Sequence, residues 1–221
     1  MAIEVVLFDL DQTLLDKQQT LTLFAEYQHE HFALHRYADL KAFKNIFISL
    51  NNQLLPKTVV YQKIGRQCAI PEKLLEDLLQ NLNEYFPEFS KGFPGLHHML
   101  AALHKKNYKI GIVTNGRDFY QRNKINSLAI QQYLNLIVTS DQLNIRKPDP
   151  QIFQYALDYF RVQAANTVFI GDHPEADISP AKELGMLTIQ KTKDTSSSSH
   201  VSTDRLESIP RIIGKLNEYE A

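Results

Sequence analysis

Five short runs of apolar, largely β-branched residues recur along the chain: Ile3 to Phe8, Lys109 to Thr114, Leu134 to Thr139, Thr167 to Ile170 and Leu187 to Gln190. Each is nearly continuous rather than alternating, so each predicts a strand buried on both faces, as in a parallel sheet. Between the later runs the apolar residues take helical spacing. Leu96, Met99, Leu100 and Leu103 follow Pro94, then come Phe119 to Leu128, Pro150 to Phe160 and Ala176 to Leu184, the last stopped by Gly185. Strand and helix alternate from residue 94 onward, which predicts a doubly wound α/β domain with a Rossmann-like parallel sheet.

The stretch from about Lys17 to Lys91 breaks the alternation. It holds long amphipathic segments (Leu21 to Tyr37, Leu40 to Leu50, Lys57 to Cys68, Glu72 to Tyr85) and no strand pattern, so it predicts an all-helical insertion. Pro56, Pro71 and Pro87 punctuate it, and its second hinge is expected near Ser90 to Phe93. Phe24, Phe32, Phe43 and Phe47 are expected in its core. The serine patch Ser196 to Ser199 predicts an exposed loop, followed by a final helix from about Leu206 to Tyr219.

Length and charge narrow the possibilities. A chain of 221 residues accommodates one domain with an insertion or two small domains. Its net charge of -1 offers no basic field for a polyanion, which argues against general nucleic-acid binding. The single cysteine, Cys68, cannot form an internal disulfide and no signal segment opens the chain, so a cytoplasmic location is expected. Charged residues interrupt every apolar run before it reaches spanning length, so no membrane association is expected. His29, His31, His35, His97 and His98 lack zinc-ligand spacing and are expected on helix surfaces.

The candidate chemistry lies at the ends of the expected strands, where open α/β sheets bind ligands. After the first strand comes Asp9-Leu10-Asp11-Gln12-Thr13-Leu14, and after the second Thr114-Asn115-Gly116. The loop after the third ends in Arg146-Lys147-Pro148-Asp149-Pro150, and the fourth leads into Gly171-Asp172-His173-Pro174-Glu175-Ala176-Asp177. A hydroxyl, an ammonium and two carboxylates thus converge on the first acidic pair. An aspartate can attack phosphorus and give an acyl phosphate that water cleaves, and position assigns that role to Asp9. Asp11 can protonate the leaving alkoxide and then deprotonate the attacking water, with crowding by carboxylates expected to raise its pKa. Four clustered carboxylates repel one another and a phosphate dianion, so the site calls for cations, and Mg²⁺ suits an oxygen-only ligand set.

These four segments resemble motifs I to IV of the haloacid dehalogenase-like hydrolase superfamily: DLDQTL, the strand into TNG, KPDP, and GD with a second aspartate five residues on. The resemblance implies a catalytic core of residues 1–15 and 92–221 and a helical cap of residues 16–91. It also implies metal held by Asp9, the backbone carbonyl of Asp11 and Asp172, with Asp177 in support. By the same resemblance Lys147 neutralises the nucleophile and the transferring phosphoryl group, and Thr114 and Asn115 bind phosphoryl oxygens. Gln12 stands where many members have Gly, and Asn144 where Gly often precedes the lysine segment. Both departures are compatible with activity.

The expected function is Mg²⁺-dependent hydrolysis of small phosphomonoesters by a monomer or homodimer, with the cap placed to close over the phosphoryl centre and exclude large substrates. TNG followed by Gln121 and Lys124 is similar to a subgroup that includes nucleotidases, with sugar phosphates also open. Alternatives are a phosphomutase, a 2-haloacid dehalogenase, disfavoured by Asp11, and a silent binding module, disfavoured because every motif carboxylate and the lysine are present. His173 reads as a variable motif position, and Lys44, Tyr61 and Arg66 as possible cap contacts to substrate.

Overall fold

A computed structural model describes residues 2–53, 55–194 and 199–219. The chain forms two compact units, one of Met1–Asp16 with Gly92–Ala221 and one of Lys17–Lys91.

The first unit is built on a six-stranded, all-parallel sheet. Its strands are β1 (Val5–Phe8), β2 (Lys109–Thr114), β3 (Leu136–Thr139), β4 (Thr167–Gly171), β5 (Leu187–Lys191) and β6 (Val201–Thr203), in the order β3-β2-β1-β4-β5-β6. The chain runs outward from β1 on one side and then returns to β1's other edge with β4. This reversal opens a crevice at the carboxyl ends of β1 and β4. The two-residue period of the strands divides the core into two faces. Val6, Phe8, Ile110, Ile112, Val168, Ile170 and Ile189 pack with Leu96, Met99, Leu100, Leu103, Ile125, Ile209 and Ile213, while Val5, Leu7, Val113, Val138 and Phe169 pack with Ile152, Phe153, Ala156, Leu157, Ala181 and Met186. A strand buried on both faces has no polar alternation to show, which is why these segments read as continuous apolar runs.

The second unit is helical: α1 (Lys17–His31), α2 (Leu40–Asn51), α3 (Lys57–Cys68) and α4 (Glu72–Tyr85). Phe24, Phe43 and Phe47 are fully buried in it, whereas Phe32 lies half-buried at the margin. Its core also holds a polar network. Tyr61 donates to Gln28 Oε1 at 2.7 Å, and Gln28 Nε2 donates to the Leu78 carbonyl at 2.8 Å and to Asn81 Oδ1 at 3.1 Å. Each of these buried groups is thereby satisfied.

The remaining helices of the first unit are α5 (Leu96–Lys105), α6 (Asp118–Ser127), α7 (Ser140–Leu143), α8 (Pro150–Phe160), α9 (Ser179–Glu183) and α10 (Ile209–Tyr219). Three expectations shift. The third strand starts at Leu136 rather than Leu134, because Leu134 closes a short turn and the Asn135 side chain accepts from the Ile110 N–H at 2.9 Å. The helix expected over Ala176 to Leu184 is a π-turn, Pro174–Ile178, running into α9. A sixth strand, β6, joins the sheet edge beside β5. Most of the expected Ser196 to Ser199 loop lies outside the described residues.

Candidate active site

Asp9 directly follows β1, and its N–H donates to the Ile170 carbonyl at 2.9 Å, which fixes it at the mouth of the β1/β4 crevice. Lys147 reaches the same point from the loop after β3. Its Nζ lies 2.6 Å from Asp9 Oδ1 and 2.6 Å from Asp177 Oδ1, with all three side chains buried. Asp177 comes from the π-turn after β4, where its Oδ2 also accepts from the His173 N–H at 3.1 Å. Gly171 makes that approach possible. A Cβ built there would lie 2.5 Å from Asp177 Cβ, well inside contact distance.

Burial is the largest influence on Asp9 and pushes its carboxyl up. Lys147 opposes the shift, Asp177 and Asp172 reinforce it, and the result is about 7. Asp172 is likewise raised, chiefly by burial and then by Asp177. Burial works against the Lys147 charge too, but Asp9 and Asp177 outweigh it and hold the ammonium above its ordinary value. The ligand atoms of Asp9, Asp172 and Asp177 all lie within 4.8 Å of one another. Three carboxylates against one ammonium leave an excess of negative charge in a poorly hydrated pocket. With only hard oxygen donors in the cluster, the residues fit a small divalent cation.

Thr114, at the end of β2, accepts from Gln121 Nε2 at 2.7 Å, which leaves its own O–H proton to donate elsewhere. The Asn115 side chain is committed to the backbone of the lysine loop. It accepts from the Lys147 N–H at 2.9 Å and donates to the Lys147 carbonyl at 3.0 Å. Its side chain therefore holds Lys147 in place. The Lys147–Pro148 peptide is cis, and Asn144 before this segment has φ 52°, a left-handed conformation that asparagine tolerates well.

Asp11 lies apart from the acidic cluster. Lys124 Nζ donates to its two carboxylate oxygens at 2.8 and 3.0 Å, and Gln121 Nε2 reaches Oδ2 at 3.1 Å. Carboxylate crowding acts on Asp9, and Asp11 meets a cation and an amide. The sequence offered one cue to these partners, since Gln121 and Lys124 are three apart and share a face of α6. Gln12, directly after the second carboxylate, has φ 66°, the left-handed region that explains why glycine is common there.

The His173 ring caps its own turn. Its Nδ1 accepts from the Glu175 and Ala176 N–H groups, both at 3.2 Å. In the helical unit Lys44 pairs with Glu26 at 2.6 Å and Tyr61 is buried in the core, while Arg66 is exposed and lines a surface groove between α2 and α3 with Asn45, Lys63 and Gln67. Among the described residues no helix is long and apolar enough to cross a membrane.

Residues 6–191 match the sequence profile of the haloacid dehalogenase-like hydrolases. The chain is 34% identical over 101 residues to a glyceraldehyde 3-phosphate phosphatase of Methanocaldococcus jannaschii, covering 46% of this chain and 44% of that protein. It is 29% identical over 196 residues to the pyrimidine 5'-nucleotidase YjjG of Escherichia coli, covering 83% of each. Among solved structures, the HAD-hydrolase YfnB from Bacillus subtilis superposes with a TM-score of 0.76 at 20% identity, covering 97% of this chain and all of that one, a likeness of fold.

Proposed function

The chain belongs to the haloacid dehalogenase-like hydrolases, and from that premise we propose that it is a Mg²⁺-dependent phosphatase of small phosphomonoesters that works through an aspartyl phosphate on Asp9. The observation that carries this reading is the buried Asp9 carboxylate at the β1/β4 crevice, 2.6 Å from Lys147 and clustered with Asp172 and Asp177.

Asp9 Oδ attacks phosphorus, and the bond from phosphorus to the ester oxygen breaks as the new acyl-phosphate bond forms. Asp11 gives its proton to the departing alkoxide. As a carboxylate it then takes a proton from the water that attacks the acyl phosphate, so that phosphate leaves and Asp9 is regenerated. Lys147 stabilises charge on the transferring group, and the Thr114 hydroxyl donates to a phosphoryl oxygen. Asp9, Asp172 and the Asp11 carbonyl would hold the Mg²⁺, with Asp177 behind them, and when bound the ion supplies charge neutralisation of the phosphoryl oxygens. A carbon-attacking dehalogenase has no use for the proton that Asp11 carries, which favours the phosphatase over that alternative.

The two relatives named above act on a triose phosphate and on pyrimidine nucleotides, so both classes head the substrate panel, with sugar phosphates and a phosphopeptide beside them. Phosphate release from small esters is expected with Mg²⁺, lost in excess chelator and restored by adding Mg²⁺ back. Full activity in chelator would sink the metal assignment, and no release from any ester would sink the phosphatase reading.

A further inference from the structure

Lys124 is the least expected polar residue of the core unit. It lies on α6, is only 7% exposed and is directed inward beside Gln121, itself 2% exposed. Burying an ammonium costs several kcal/mol unless it is paired and hydrogen-bonded, and here the partner is a single carboxylate gripped through both oxygens. Gln121 adds a third hydrogen bond to Asp11. The same Nε2 also reaches Thr114 Oγ1, so one amide ties the acid/base group to the phosphoryl-binding hydroxyl. The Asp11 side chain nevertheless keeps 30% of its exposure, so it is held on one side and open to water on the other.

Donors on both oxygens make Asp11 an acceptor, the form it needs when it removes a proton from water. On the phosphatase reading above, we infer that Lys124, with Gln121 sharing the hold, is a positioning residue for the second half-reaction: it aims the Asp11 carboxylate at the water that hydrolyses the aspartyl phosphate. The first half-reaction with a good leaving group needs no proton from Asp11 and does not depend on this hold.

The test is pre-steady-state and steady-state hydrolysis of p-nitrophenyl phosphate by the full chain in Mg²⁺. For Lys124→Met, kcat and KM are expected to fall together by ~10- to 100-fold, with kcat/KM within ~3-fold of wild type and a nitrophenol burst approaching one per site. Lys124→Arg, which can still grip a carboxylate through both oxygens, should recover most of kcat. In Asp11→Ala the further change Lys124→Met should alter kcat by less than ~2-fold, since the lysine acts through that carboxylate. Equal losses in kcat and kcat/KM without a burst would mark a merely structural lysine and overturn the inference. So would an unchanged kcat, an arginine variant as slow as the methionine one, or an additive double variant. A wild-type protein that releases no phosphate would instead overturn the phosphatase reading, and the inference with it.

Discussion

Asp9 and Asp11 are separated by one residue and live in opposite electrostatic settings. Asp9 is buried at the end of a strand among two other carboxylates and one ammonium, and burial lifts its carboxyl to about 7. Asp11 is half-buried and faces Lys124 and Gln121 from a helix. The contrast shows how one short loop can supply two chemistries. The first carboxylate is made to depend on a cation for its charge, and the second is gripped by the fold's own donors, Lys124 and Gln121. On the proposed mechanism the end of β1 supplies both the nucleophile and the proton carrier, and the face of α6 supplies the donors that hold the second.

The largest expected effect breaks the comparison at its nucleophilic side. Asp9→Asn keeps the volume and removes what we propose to be both the nucleophile and a metal ligand, so activity should fall below ~1% of wild type, with no burst on p-nitrophenyl phosphate. Asp11→Ala should keep the burst while turnover falls ~10²- to 10⁴-fold, because only proton transfer is lost. Steady-state and quenched-flow kinetics on the purified variants make the comparison. More than about a tenth of wild-type rate in Asp9→Asn would mean under ~1.4 kcal/mol lost, too little for a nucleophile.

A smaller effect concerns stability in the absence of metal. Asp9 and Asp172 are both raised in the folded state, so the fold binds their protons more tightly than the unfolded chain does. For a carboxyl raised from 3.8 to about 7, stability is highest at the acid end and declines as pH rises through that interval. Lys147, raised from 10.5, stays charged throughout and adds no slope there. Asp118 is lowered, chiefly by Arg122, so its titration falls below its ordinary 3.8. Metal-free protein should therefore lose ~1 kcal/mol or more between about pH 4 and 7, roughly 2–4 °C in Tm, and Mg²⁺ should restore it at neutral pH. Thermal melts against pH should show a flatter slope in Asp9→Asn and an undiminished one in Asp11→Asn. If Asp11→Asn flattened the curve instead, the two settings would have been assigned the wrong way round.

The same contrast explains what could be read in the sequence. Asp9, Thr114, Lys147 and Asp172 follow strands whose apolar runs are self-evident, so local pattern located them. Gln121 and Lys124 sit in a helix with little amphipathic character, where a glutamine and a lysine look like a solvated face. Only the distant Asp11 makes that face an inner one, and no local pattern records a partner more than a hundred residues away. Gln28 and Asn81 were hidden for the same reason, since a polar residue inside an amphipathic helix shows its burial only through its partner. The sixth strand escaped because Val201–Thr203 is three residues long, holds one apolar residue and lies half-buried at the sheet edge. The hold of the Asn115 side chain on the Lys147 backbone escaped as well, since the two residues are 32 apart in sequence.

The smallest expected effect lies in the residue that follows the two carboxylates. Gln12 at φ 66° carries the ~1–3 kcal/mol cost that a side chain meets in the left-handed region. Glycine removes that cost but adds ~0.5–1 kcal/mol of unfolded-state freedom. Gln12→Gly should therefore stabilise by between about 0 and ~2.5 kcal/mol, with Gln12→Ala as the control that removes the side chain and keeps the strain. If Lys147 on one side and Lys124 with Gln121 on the other are what hold Asp9 and Asp11, loosening the backbone just after Asp11 should leave kcat within ~2-fold in both variants. If instead the strained backbone itself sets the direction of Asp11, glycine should lower kcat ~10-fold or more while alanine does not. Paired chemical denaturation and steady-state kinetics of the two variants distinguish these outcomes. A glycine-specific loss of turnover would move the positioning of the acid/base group from the helix face to the loop.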